Sequence, residues 1–113
     1  MAETFISVTP SKPGAATPTI IYTTPGATTS LVLSLVCANN SGSGGSADQV
    51  TVKKIASGGV AGDSDVELVS ELDVQNQESF FFAEKVVLAT GEAIAVESTN
   101  GDVVFTLSVL ERT

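Results

Sequence analysis

The chain has 113 residues, five basic against thirteen acidic, a formal net charge of −8, no histidine and one cysteine. That length implies one domain with a real but shallow core. The charge excludes a basic surface for nucleic acid or anionic membrane, and the lone cysteine excludes an internal disulfide.

Charged residues are only 16% of the chain and mean hydropathy is positive. A monomer of this kind exposes much apolar and hydroxylic surface, so a homo-oligomer is expected. The opening MAETFISV carries an early acid and no basic run, unlike a secretory signal; folding in a reducing cytoplasm is the expectation.

Thr4 to Thr9 reads as a short strand anchored by Phe5 and Ile6. Pro10 to Pro18 holds three prolines and a glycine, which favours extended, unpaired backbone. It reads as a surface loop or, more sharply, as an arm reaching a neighbouring subunit. The division expected is therefore an N-terminal strand and proline-rich arm over residues 1–18 and a sandwich over 19–113. The candidate interface residues are Phe5, Ile6, Pro10, Pro13, Pro18 and Phe81.

Ile20 to Thr23 is a strand, and Pro25-Gly26 suits the middle of a type II turn, with Gly26 taking the positive φ. Thr28 to Ala38 is the longest apolar run and reads as a central strand. Leu31, Leu33, Leu35 and Cys37 fall on one face, Val32, Ser34, Val36 and Ala38 on the other. Cys37 is thereby a small buried hydrophobe. The Gly/Ser run Ser41 to Ser46 is a solvated loop, not a phosphate cradle, because no Lys-Ser/Thr pair and no helix follow.

Gln49 to Ile55 alternates as a strand with a solvent or rim face. A second Gly-rich loop covers Ser57 to Asp63. Val66 to Val74 is a strand with Glu67, Glu71 and Asp73 outward. Of the three phenylalanines, Phe80 and Phe82 share one face and Phe81 takes the other, as core on both sides or as a contact anchor. After Val86 to Leu88 and a Thr90-Gly91 turn, Asn100-Gly101 signals a two-residue hairpin. That register puts Val96 opposite Phe105 and Ile94 opposite Leu107, with Ala95 opposite Thr106 and Ala93 opposite Ser108, so large and small pairs separate by face. The sum is an all-β, single antiparallel β-sandwich of about seven or eight strands, jelly-roll or immunoglobulin-like.

Without histidine, Ser–His and Cys–His pairs and the usual proton shuttle are impossible. Paired carboxylates for glycoside cleavage would need an aromatic-lined cleft, and the chain has no Trp and one Tyr. Asp63, Asp65 and Glu67 have i, i+2, i+4 spacing, but no EF-hand glycine or distal bidentate Glu follows, so they read as a solvated acidic edge. No catalytic residue, metal ligand or cofactor is expected, and the chain reads as not an enzyme.

The stretches IIYTTPGATTSLVLSLVCANNSG, LATGEAIAVES and GDVVFTLSVLE resemble small β-sandwich virion proteins of tailed bacteriophages, common among marine and cyanobacterial phages. The resemblance rests on Tyr22-Thr23, Pro25, Thr28-Thr29, Leu33, Ala38-Asn39, Gly91-Glu92 and Leu107 to Glu111; Ala56 to Gln77 lies outside it. It implies a structural part of the virion, foremost a capsid decoration (cement) protein bridging head subunits, often trimeric. Its partners would be copies of itself and the major capsid protein or other virion subunits, without nucleic acid or membrane. A neck, tail or fibre component is the alternative, and a carbohydrate-binding or adhesin module is a further one.

Overall fold

The computed structural model describes residues 2–42, 44–63 and 66–113. Among them are nine strands and no helix: β1 Glu3–Ser7, β2 Thr19–Thr23, β3 Thr29–Asn39, β4 Asp48–Ile55, β5 Glu67–Val74, β6 Ser79–Phe82, β7 Val86–Leu88, β8 Ala93–Ser98 and β9 Val103–Arg112. Valine, threonine and isoleucine populate them, since branched side chains pack well on a pleated surface.

Two antiparallel sheets result. Sheet A runs β1-β9-β3-β6, with β7 also on β3, and sheet B runs β2-β8-β4-β5. Counting β6 and β7 as one broken strand, the chain pairs first with last, second with next to last, and so on inward. That nested order is the jelly roll, one of the two topologies the sequence left open.

The core lies between the sheets. Sheet A supplies Val32, Leu35, Cys37, Phe82, Leu88, Phe105, Leu107 and Val109, and sheet B supplies Val50, Val52, Ile94 and Val96. Each fully buried side chain of this size contributes on the order of 1.5–3 kcal/mol through loss of apolar surface from water.

Four local expectations fail. The Asn100-Gly101 hairpin is absent: β8 pairs with β2 and β4, and β9 with β1 and β3. The connection is an arch from one sheet to the other. Ile94, Val96, Phe105 and Leu107 do share one core, but across the sandwich rather than along a ladder. The arch is held by the buried Asp48, whose Oδ1 accepts from Asn100 N at 2.9 Å and Oδ2 from Asp102 N at 3.1 Å.

The central strand does not keep one parity. Val32 pairs with Val109 and Ser34 with Ser108, which leaves Leu33 as an extra residue. This bulge reverses the faces. Ser30 and Val32 are inward before it, Leu35, Cys37 and Asn39 after it. Leu31 is therefore turned outward, against expectation.

The turn before β3 is displaced by one residue. The positive φ, 54°, falls on Ala27 and not on Gly26.

The segment between β1 and β2 is not unpaired. Val8 N donates to Leu107 O, Ser11 exchanges both backbone bonds with Phe105, and Ala16 N donates to Ser98 O. It lies along its own β9 and the arch, and Gly101 passes so close that a Cβ there would sit 2.8 Å from Ala15 N.

Candidate contact face

The outward side chains of sheet A follow from its registers. Phe5 on β1 lies beside Leu110 on β9, Leu110 beside Leu31 on β3, and Leu31 beside Val87 on β7. One apolar row thus crosses four strands. Further along, Thr106, Val36 and Phe81 make a second row, and Val104, Ala38 and Ser79 a third. Ser7, Ser108 and Ser34 lie between.

Three of these residues stand far out of the surface: Phe5 is 77% exposed, Phe81 68% and Val87 58%. The charged members of the rows are Glu3 and Arg112, whose Oε2 and Nε are 3.6 Å apart and offset one another.

A groove of about 270 Å³ opens in the first row, lined by the apolar Leu31, Val87 and Leu110 together with Thr29, Ser30 and the Glu3–Arg112 pair. Across the five strands apolar outward side chains, Phe5, Leu31, Val36, Ala38, Phe81, Val87, Val104 and Leu110, are interleaved with hydroxylic ones and carry few charges, a wider apolar share than a free monomer usually exposes in one place.

Sheet B presents a different outer face. Residues of the 56–63 loop fold over it, with Ala61 packed against the small cluster of Ile55, Ala93 and Ala95. Lys53 Nζ donates to Ala61 O at 3.4 Å and lies 4.0 Å from Glu97. Lys53, expected on a solvent or rim face, is 5% exposed because this loop and β5 cover it.

The sequence-derived interface candidates divide on the structure. Phe5 and Phe81 project from the outer face of sheet A. Ile6 packs against the core. Pro10 is exposed, Pro13 buried and Pro18 half-buried. Leu31, Val87 and Leu110 belong to the face and were not singled out. Leu110 carried a signal, since it shares parity with Thr106 and Ser108 on the side away from Phe105 and Leu107. Leu31 carried none, because the bulge at Leu33 is silent in the pattern.

The polar groups inside are structural in placement. Tyr22 OH donates to Glu111 Oε2 at 2.6 Å and lies 2.6 Å from Ser30 Oγ, which joins β2 of one sheet to β3 and β9 of the other. Burial first, then the Glu111 hydrogen bond, push the Tyr22 hydroxyl up to about 12. Burial pushes the Cys37 thiol up to about 12, in keeping with a side chain that acts as a hydrophobe.

Asp63 Oδ2 accepts from Val60 N at 3.0 Å, Glu67 is exposed, and Asp65 lies outside the described residues. Among the described residues no group of three or more His, Cys, Asp or Glu side chains is arranged to hold a metal ion. No protein-family model matches the chain, and no curated protein or solved structure matches it either.

Proposed function

We propose that the chain is a non-enzymatic structural protein of a tailed-phage virion, a capsid decoration (cement) protein that stabilises the head by bridging shell subunits. The observation that carries this reading is the outer face of sheet A: broad, apolar and hydroxylic, with no loop among the described residues folded over it and nearly free of net charge, on a chain with net charge −8. A surface like that acts through area, by many modest contacts in a symmetric assembly, and needs no reactive centre. The acidic remainder keeps the assembled particle soluble. The jelly roll, a common architecture of viral capsid and lectin domains, suits the role without dictating it.

Co-sedimentation tests the reading. Purified protein is mixed with heads of cyanobacterial tailed phages stripped of their outer proteins. Saturable binding at a fixed number per lattice unit is the expected outcome, and electron cryo-microscopy separates a head site from a neck, tail or fibre site. Absence of saturable binding to any such particle ends the proposal.

One observation favours a glycan-binding module instead, the exposed ring of Phe81. Its row neighbours are Val36 and Thr106, which offer few hydrogen-bonding groups. Tyr22, the other aromatic candidate, has its hydroxyl engaged inside. Oligosaccharide binding abolished by Phe81→Ala, without particle binding, would put that reading first.

A further inference from the structure

The first apolar row of sheet A contains both a projection and a depression. Phe5, 77% exposed, stands on β1 at one edge. The groove of about 270 Å³ runs from Glu3 on the same strand across Leu110 and Arg112 on β9 and Leu31 on β3 to Val87 on β7. An apolar cavity of about 150 Å³ accepts a benzene ring, so this groove has room for a phenyl side chain. Phe5 stands beside Leu110 at the groove's edge, but its ring projects into solvent and does not line the groove.

A two-fold axis in the contact plane, running along β9, places each copy's Phe5 over the other's groove. An isologous contact needs a surface complementary to itself, and a knob and a hole in one row meet that need.

Two further quantities agree. About that axis β1, β9 and β3 of the two copies overlap; ten residues of β9 at about 3.3 Å each, by three strands at about 4.8 Å, give at most about 480 Å² per copy, or about 950 Å² for a pair, the size of a weak, reversible contact. The charge balance permits the approach as well. Two copies each at −8 repel, and the face that meets its twin carries one acid and one base beside each other.

We propose that the outer face of sheet A is the contact between two copies of this chain, each copy's Phe5 seated in the other's Leu31–Val87–Leu110 groove. This rests on the reading of that face as a contact surface and names its occupant; it replaces the three-fold arrangement implied by resemblance with a two-fold one.

Sedimentation equilibrium from about 1 to 100 μM tests it. A reversible dimer is expected, tighter at higher salt because like net charges are screened while apolar contact is not. Phe5→Ser and Val87→Lys each raise the dimer dissociation constant at least tenfold. Both side chains are solvent-exposed in the single chain, so unchanged thermal melting of dilute protein separates lost contact from lost fold.

A mixture of Phe5→Cys and Val87→Cys proteins, mildly oxidised, forms a cross-linked heterodimer in excess of either homodimer. A monomer at 100 μM, a trimer, or a dimer indifferent to both substitutions overturns the proposal. A monomer that still coats phage heads would sink this inference and leave the virion role standing. A dimer that ignores every head would do the reverse.

Discussion

At the scale of single residues, two side chains make measurable claims. Cys37 is wholly buried, and loss of hydration holds its proton to about 12. The unfolded chain releases that proton near its ordinary value of about 8.5. Below that value both states hold the proton and stability is unaffected. Above it the folded state alone keeps the proton, so stability falls as pH rises towards 12, by on the order of 1.4 kcal/mol per pH unit. Urea titrations at pH 8, 9.5 and 11 check this, and Cys37→Ala should flatten the slope. In native protein at pH 8 a thiol reagent should label Cys37 only at the rate of global unfolding; fast labelling would contradict the burial. Ala27 is the other case. It adopts a φ of 54°, a region that costs an L-residue about 1 kcal/mol and glycine little. Ala27→Gly should therefore stabilise the fold by up to about 1 kcal/mol in urea denaturation, whereas an equal loss would show that the unfolded-chain entropy of glycine dominates.

At the scale of elements, the passage from β8 to β9 is the informative one. Its strand faces were legible: Val103, Phe105, Leu107 and Val109 are buried and alternate with half-buried neighbours. Its pairing was not, because a hairpin and an arch impose the same inward–outward order. What selects the arch is remote in sequence. The carboxylate of Asp48 takes two backbone N–H groups of the turn, and Ala15 blocks any side chain at position 101, where φ is 78°. Asp48→Ala should cost about 3–6 kcal/mol, the value of two hydrogen bonds to a charged group at about 1.5–3 kcal/mol each. Asp48→Asn should restore part of this through one remaining acceptor oxygen. A loss under 0.5 kcal/mol for the alanine variant, read by urea denaturation, would mean the arch holds without its clamp. β3 makes the same point about elements: Leu33 shifts the register by one, and the apolar residue Leu31 becomes outer surface instead of core.

At the scale of the whole molecule, the two sheets are unequally dressed. Sheet B wears a loop on its outer side, while sheet A offers uncovered rows with one ion pair at their end. The net charge of −8 opposes association of such faces, and it falls away near the sequence pI of about 4.1. Lowering the pH from 7 towards 4 should drive association beyond a dimer, seen by light scattering. Phe81→Lys, which adds charge to the bare face, should reduce that scattering; an unchanged response would place the sticky surface elsewhere. The candidate face was legible only in part. Low charge content and positive hydropathy implied covered surface, and Phe5 and Phe81 were recognisable anchors. The groove beside Phe5 is built from residues far apart in the chain.

The amino-acid order by itself determined that this chain is all strand, that its strands have an inner and an outer side, and that it lacks the histidine on which neutral-pH proton chemistry commonly depends. Alternation encodes burial because a strand turns its side chains by half a revolution per residue. The tertiary structure decided which backbones meet, since hydrogen-bonding groups are identical at every residue and carry no address. Nested pairing of distant strands made the jelly roll, moved Leu31 outward, folded the proline-rich segment onto β9, and set Phe5 and its facing groove in one row.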